Sequence, residues 1–418
     1  MDILKDLEYR GLINQVTDRE GLTKKLAEER VTLYVGFDPT ADSLHIGSLL
    51  PILCLKRFQQ AGHIPVALVG GGTGLIGDPS GKANERTLNS KEIVDEWTEK
   101  LRRQLSQFID FDAKDNPAKT VNNYDWIGPL NVIDFLRDIG KNFSVNYMLA
   151  KDSVDSRLEK GISFTEFSYM ILQAYDFYKL NQDIGCTLQI GGSDQWGNIT
   201  AGLELIGKTS GAKVFGLTIP LVTKSDGTKF GKTESGTIWL DAGKTSPYQF
   251  YQFWINTDDN DVVKFLKYFT FLNAEEIAEL EELLKTQPEK RDAQRRLAKE
   301  VTELVHGTEA RISAEKITAA LFSGDVSGLS QQEIEEAFQD VPSTEIQGAE
   351  IALIDLLIEV KAAPSKRQAR QDIESGAVYI NGVRTTELDK TLTAADRMHG
   401  KYIIVRRGKK NYYLAKFQ

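Results

Sequence analysis

Apolar positions change their spacing several times along the chain, and each change marks an element. Val31-Thr-Leu-Tyr-Val35 reads as a strand, Leu44 to Ala61 as a helix closed by Gly62, and Val66-Ala-Leu-Val69 as a second strand running into glycines. Strand, helix, strand in that order predicts a parallel α/β sheet, with ligands at the carboxyl ends of the strands. Residues 90–160 carry helical spacing, with LRRQLSQFI and PLNVIDFLRDIG as amphipathic pieces. Ser163 with Glu166 three residues on predicts a capping box opening another helix. Leu188-Gln-Ile190 is a further strand, followed by GGSDQWGN. From Ser246-Pro247, an N-cap with proline at the first helical position, the pattern turns helical. Leu297, Val301, Leu304 and Val305 share one face, and Gly307 is placed to end that helix. Residues 322–350, rich in Ser, Gly, Asp and Gln, read as a linker. Ser365 with Gln368 is a second capping-box pattern, Asn381-Gly382 marks a hairpin, and YIIVRRGKKNYYL at 402–414 forms another with a basic turn.

A length of 418 residues allows two or three domains, and 41% hydrophobic with 27% charged residues is the make-up of a chain that folds. The longest apolar run, Leu49 to Leu55, is too short to cross a bilayer. MDILKDLEYRGL places charges where a secretory signal has its apolar stretch, so the cytoplasm is the expected compartment and no membrane is involved. Cys54 and Cys186 with four scattered histidines make neither a disulfide framework nor a zinc spacing; no metal site is expected. Charge changes the picture more. The net −9 divides into +8 over residues 361–418, with 13 basic and five acidic residues, and −17 over the rest. A basic module on an acidic body suggests a polyanion partner, or else a solvated charged surface.

Four stretches carry candidate chemistry. VGGGTGLIGDPSGK (69–82) matches GxGxxG at Gly72, Gly74 and Gly77, yet Asp78-Pro79-Ser80-Gly81 is turn chemistry where a dinucleotide fingerprint needs a helix. A phosphate-loop reading fails too, since Ile76 and Ala83 stand where glycine and Ser or Thr are required. Lys82 and Arg86 just beyond form a basic pair. In FDPTADSLHIGS (37–48), Asp42 or Ser43 can cap a helix, putting His45 in its first turn near free N–H groups suited to phosphate; a plain surface cap is the alternative. Lys229-Phe-Gly-Lys232-Thr233 sets two lysines three apart in a Gly/Ser/Thr-rich loop. SFTEFSYMILQAYDF (163–177) is apolar nearly all round and should be buried, but Tyr169, Gln173 and Asp176 make one polar stripe along it. A buried Asp176 needs a partner, either inside the protein or on a small polar ligand.

HIGS (45–48) and KFGKT (229–233) look like the two signature motifs of class I aminoacyl-tRNA synthetases. With YVGFDPTADSLHIG, GLIGDPSGK, SFTEFSYMILQAYDF and LQIGGSDQWGN, the chain resembles the bacterial tyrosyl-tRNA synthetase family from about residue 5 onward. The resemblance implies a Rossmann-like parallel-sheet α/β catalytic domain over 1–245. Within it would lie a helical dimer-forming insertion at about 105–160 and the KFGKT loop at 223–235. A helical anticodon-recognition domain over 246–321, the 322–350 linker, and a small α+β S4-like RNA-binding domain over 351–418 would follow. It implies ATP and L-tyrosine as substrates, Mg²⁺ accompanying ATP, tRNA(Tyr) as acceptor, and a homodimer.

Carried over by motif, Thr40 and His45 would bind ATP phosphates, and Lys82, Arg86, Lys229 and Lys232 would stabilise the transferring ones. Gly47, Ser48, Gly191, Gly192 and Asp194 would hold the rest of the nucleotide. Tyr34 and Asp176 would take the substrate phenol, Asp78, Tyr169 and Gln173 its ammonium, with Gln195 close by. Lys366, Arg367, Arg370, Arg406, Arg407, Lys409 and Lys410 would contact tRNA. One position departs from the family pattern: Ser48 stands where the second histidine of the motif is usual. A dinucleotide oxidoreductase, an RNA-binding or RNA-modifying protein built on the tail, and a tryptophanyl enzyme are the rival readings. Tyrosine-dependent pyrophosphate exchange separates them.

Overall fold

The computed structural model describes residues 2–81, 84–159, 161–227, 230–233, 236–339, 341–409 and 411–418, with Lys232 and Thr233 as backbone only. Contacts divide the chain into two units: Met1–Thr245 with Thr257–Leu297, and Ser246–Asn256 with Ala298–Gln418.

The first unit is built on a six-stranded sheet. Its strands are β1 (Gln15–Val16), β2 (Thr32–Phe37), β3 (Ile64–Val69), β4 (Lys119–Asn122), β5 (Cys186–Gly192) and β6 (Phe215–Ile219), in the order β1-β6-β5-β2-β3-β4. All pairings are parallel except β1 with β6. The chain steps from β2 to β3 on one side and returns to β5 on the other, so the crevice beyond β2 and β5 is a topological switch point, the usual ligand position in such sheets. The helices that matter here are α1 (Ile46–Gln60), α2 (Lys91–Leu105), α3 (Asp152–Leu158), α4 (Phe164–Ile184) and α5 (Trp196–Thr209). β2 and β3 read as near-continuous apolar runs because both faces of a parallel sheet are covered.

Several expectations need correcting. The 90–160 stretch is not helical throughout: β4 lies inside it, a four-residue edge strand, mostly half-buried, whose Lys-Thr-Val-Asn carries too little alternation to announce itself. GxGxxG leads only into a single tight turn, Thr73–Leu75, in line with the turn chemistry after it. The helix α4 is not buried all round, since Phe164 is 76% exposed.

Beyond Ser246 the chain forms α6 (Pro247–Ile255), α7 (Asp259–Phe269), α8 (Ala274–Thr286) and α9 (Asp292–Ser323). Ser246 and Gln249 complete the cap of α6. Gly307 leaves helical geometry, φ 86° and ψ 170°, and ends the first part of α9 as its place in the sequence predicts; a second helical segment follows directly after it.

In the second unit, residues 322–350 are no linker. They contain α10 (Gln331–Ala337) and the strand β7 (Ser343–Ile346), followed by α11 (Leu353–Glu359), α12 (Lys366–Glu374), β8 (Val378–Ile380), β9 (Val383–Thr385), β10 (Tyr402–Arg407) and β11 (Asn411–Phe417). The sheet order is β9-β8-β10-β11-β7, with β7 parallel to β11. Side chains alternate across a strand, so Ile403 and Val405 join the core of α11 and α12, while Tyr402 and Ile404 pack with Ile317, Val326, Ile334 and Phe338. Polar composition hid this segment because only a few of its residues, Val326, Leu329, Ile334 and Phe338 among them, do the packing. Asn381 and Gly382 both take positive φ in the β8–β9 turn, as the dipeptide predicts.

Candidate active site

A cleft of about 320 Å³ opens at the switch point, lined by the ends of β2 and β5, by α1 and by α4. Tyr34, Thr40, His45, Gly47, Ser48, Asp78, Arg86, Tyr169, Gln173, Asp176, Gly191, Gly192, Asp194 and Gln195 all line it, residues scattered over 160 positions of sequence. Lys82 and Lys229 lie outside the described residues, as does Lys410.

The inner end is polar and enclosed. Asp176 accepts from Asn123 Nδ2 at 2.9 Å and from Trp126 Nε1 at 2.8 Å, so it has partners inside the protein, and it also lines the cleft. Burial pushes its carboxyl up to about 8, against those two hydrogen bonds. Tyr34, in β2, is 1% exposed and its hydroxyl has no hydrogen-bond partner among the described residues. Burial first, and Asp176 second, raise its phenol well above the ordinary tyrosine range. A buried, unpaired hydroxyl costs free energy unless something supplies a partner.

A second cluster lies nearer the mouth. Asp38, just past β2, accepts from Thr73 Oγ1 and from Tyr169 Oη, each at 2.6 Å, and burial lifts its carboxyl to about 6. Asp78 accepts from Ser80 N–H at 2.9 Å and from Gln195 Nε2 at 2.8 Å. Asn198 ties this side together, donating to Gln173 Oε1, Gln195 Oε1 and Ser80 Oγ. The result is a pocket wall of fixed acceptors around Asp38, Asp78 and Gln173, suited to a cationic head group.

The start of α1 departs from expectation. Neither Asp42 nor Ser43 caps α1. His45 does so itself, its Nδ1 accepting the Gly47 N–H at 3.0 Å, while Asp42 pairs with Lys244 at 2.7 Å. His45 thus stays exposed at the helix start. The two signature segments meet there. Ile46 N–H donates to Ile238 O at 2.9 Å, and Ile238 N–H donates to Gly231 O at 3.0 Å. A Cβ on Gly231 would stand 2.4 Å from Ile46 Cγ2, and φ of 77° also demands glycine. Gly231 is therefore held against Ile46 of HIGS, with Phe230 stacked on Phe269 of α7 at 5.4 Å.

Reasoning from sequence left out Asp38, Thr73, Asn123, Trp126, Gln189 and Asn198. Asp38 and Asn198 sit inside motifs already singled out. Asn123 and Trp126 follow the strand that the pattern concealed.

In the second unit, Lys366, Arg367, Arg370 and Lys409 are exposed. Arg407 is half-buried and committed, its Nε 2.8 Å from Asp372 Oδ2 and its Nη1 donating to Ala362 O. Arg406 lies 4.0 Å over the Tyr379 ring, in a groove of about 940 Å³ shared with Tyr248, Lys409, Tyr412 and Tyr413.

A family model described as tRNA synthetases class I (W and Y) matches residues 25–323, and one described as a tyrosine–tRNA ligase SYY-like C-terminal domain matches 333–415. The chain is 66% identical over its whole length, and that of the relative, to a tyrosine–tRNA ligase of Geobacillus kaustophilus. It is 65% identical to tyrosine–tRNA ligase 1 of Bacillus subtilis, again with full coverage of both. Among solved structures, a C-terminally truncated mitochondrial tyrosyl-tRNA synthetase of Aspergillus nidulans superposes with a TM-score of 0.70 at 33% identity, over 77% of this chain and 94% of that one.

Proposed function

The chain belongs to the tyrosine–tRNA ligases of the class I synthetase family, and from that membership we propose how its cleft serves their two reactions. The overall activity joins L-tyrosine to tRNA(Tyr) at the expense of ATP. A tyrosine carboxylate oxygen attacks the α-phosphorus of ATP, the bond to the bridging oxygen breaks, and pyrophosphate leaves. A ribose hydroxyl at the tRNA 3′ end then attacks the carbonyl carbon, and AMP departs.

Neither step calls for a protein nucleophile, so the residues work by positioning and charge neutralisation. Tyr34 and Asp176 take the phenol, Asp78, Tyr169 and Gln173 the ammonium, and Gln195 braces Asp78. His45 and Thr40 at the start of α1 take phosphates, with Arg86, Lys82, Lys229 and Lys232 spread around the leaving group. Gly47, Ser48, Gly191, Gly192 and Asp194 hold ribose and base. Mg²⁺ enters with the nucleotide: among the described residues no three ligating side chains cluster, and Mg²⁺ commonly binds through substrate phosphates with few protein ligands.

The observation that carries this reading is the buried Tyr34 hydroxyl, without a hydrogen-bond partner among the described residues, in the cleft that buried Asp176 also lines. It supports a ligand that brings a hydroxyl there. The test is pyrophosphate exchange with tyrosine, phenylalanine and tryptophan in turn. Exchange supported equally by phenylalanine overturns the assignment of Tyr34 and Asp176.

A homodimer is supported by apolar side chains left exposed in one region, Val132, Ile133, Leu136, Val145 and Phe164, each more than half exposed. Sedimentation of a variant with Ile133→Asp and Phe164→Asp should give monomers where the parent gives dimers. Exposed Arg367, Arg370 and Lys409 and the aromatic groove around Arg406 support tRNA contact by the second unit, with Arg407 better suited to holding that unit together. Among the described residues no helix is long and apolar enough to cross a membrane. The substrates belong to translation, which favours the cytoplasm.

A further inference from the structure

Glu166 stands third in the first turn of α4, where its spacing from Ser163 predicts a reciprocal cap. Ser163 does cap, accepting the Glu166 N–H, but the Glu166 side chain turns away. It is 1% exposed; its Oε2 lies 2.8 Å from Nη2 of Arg157 on α3, and its Oε1 accepts the backbone N–H of Arg86 at 2.9 Å. A buried ion pair repays its desolvation only when the remaining polar atoms are also satisfied. Here Nε and Nη1 of Arg157 are buried without a hydrogen-bond partner among the described residues. Fold stability alone is a poor reason for such an arrangement.

What the pair holds is Arg86. The Arg86 Nε donates to the Asp78 carbonyl at 3.2 Å. A Cβ on Gly77, whose φ is 91°, would come within 2.7 Å of Arg86 Cβ, so the loop folds tightly over itself here. With the main-chain N–H clamped by Glu166 and the side chain steered by Asp78, the guanidinium enters the cleft from one fixed point. We propose that Glu166, held by Arg157, is a positioning residue for Arg86 in tyrosine activation. This rests on the reading of Arg86 as a ligand of the transferring phosphates. Glu166 would touch neither substrate; it would act by setting the place of a charge that must meet the transition state, where a displacement of about 1 Å can cost roughly a hundredfold in rate.

The location of Glu166 supplies its own control. Tyr169, Gln173 and Asp176 follow on the same helix, so damage to α4 would weaken tyrosine binding first. Loss of the positioning of Arg86 slows activation and leaves tyrosine affinity unchanged. The experiment is a double-mutant cycle on the full chain with Glu166→Ala, Arg86→Ala and the pair. Single-turnover adenylate formation and the equilibrium Kd for tyrosine are read for each. Glu166→Ala should slow activation by roughly 10–100-fold, with the Kd unmoved. The double variant should be no slower than Arg86→Ala alone, because the two changes remove one function. Additive losses, or a tyrosine Kd that rises in step with the lost rate, overturn the proposal while leaving Arg86 as a phosphate ligand. An Arg86→Ala variant as fast as the parent removes the reading of Arg86 itself. Should Glu166→Ala fail to fold, Glu166→Gln keeps an oxygen for the Arg86 N–H; a smaller slowing is expected, again non-additive with Arg86→Ala, and additivity there overturns the proposal equally.

Discussion

Asp176→Asn keeps the shape of the side chain and removes its charge, which makes the cost of that buried charge measurable. Burial carries the carboxyl from an ordinary 3.8 up to about 8. Between those two pH values the folded protein holds a proton that the unfolded chain has released. Stability therefore falls as pH rises through that window, and stops falling above about 8. Roughly four pH units at about 1.4 kcal/mol each set a ceiling near 6 kcal/mol. Relaxation and water in an open cleft raise the effective dielectric, so about 2–3 kcal/mol is the expected size. Asparagine titrates nowhere in this range. It does present an N–H to a site already made of donors, Asn123 Nδ2 and Trp126 Nε1, which costs about 1–3 kcal/mol at every pH. The diagnostic is therefore the change in the difference between parent and variant, not its sign at one pH. Urea unfolding without tyrosine, at intervals from pH 4 to 9, should show the variant gaining on the parent by about 2–3 kcal/mol across the range. A difference constant with pH would refute the argument that Asp176 is buried against its charge. The same variant should lose roughly 10–100-fold in kcat/KM for tyrosine activation, the scale of one charge-assisted hydrogen bond.

Tyr34→Phe deletes a hydroxyl that has no partner among the described residues, so unfolding stability without tyrosine should hold or rise slightly. Tyrosine affinity should fall by about 1 kcal/mol in equilibrium binding; a large loss of stability would show that the hydroxyl is satisfied after all. Lys229→Ala or Lys232→Ala should slow adenylate formation by roughly 10²–10³ with little change in tyrosine Kd, and rapid-quench kinetics would expose the opposite pattern. Ser48→His should alter the KM for ATP by about 1 kcal/mol and leave that for tyrosine alone, since Ser48 sits in the first turn of α1 beside His45; a change confined to tyrosine contradicts this. A chain ending at residue 350 keeps α10 and β7 but loses the sheet that covers them, so it should unfold at a lower temperature than one ending at 323, while the shorter chain retains pyrophosphate exchange. Equal melting temperatures would count against the packing of Ile334 and Phe338 on Tyr402 and Ile404.

The parallel sheet was legible because β2 and β3 are near-continuous apolar runs, and because such a sheet puts its ligands at one end of its strands. The polar stripe of α4 was legible for a related reason: a carboxylate on an apolar helix is expensive enough to demand an explanation. What stayed hidden was whatever depends on distant partners. Nothing local says that Asn123 and Trp126 turn toward Asp176, or that Glu166 abandons its cap for Arg157 and Arg86. The Ser365 pattern is likewise half formed: Ser365 caps its helix by accepting the Gln368 N–H, while the Gln368 side chain bonds Asp372 instead of returning to the cap. The division at 322–350 was misread because composition reports solubility, whereas a few well-spaced apolar residues are enough to seat a segment in a core.

The placing of β11 has a consequence for how this protein is made. Residues 411–417 come after every other strand of their sheet in the order of synthesis, yet they lie inside it, between β10 and β7. Until those residues leave the ribosome, β7 has no neighbour and the sheet is open along its middle. The first unit ends at Leu297, so all of its residues are translated before those of β7 to β11. The nascent chain would then complete the cleft of its first unit before the sheet of its basic module closes.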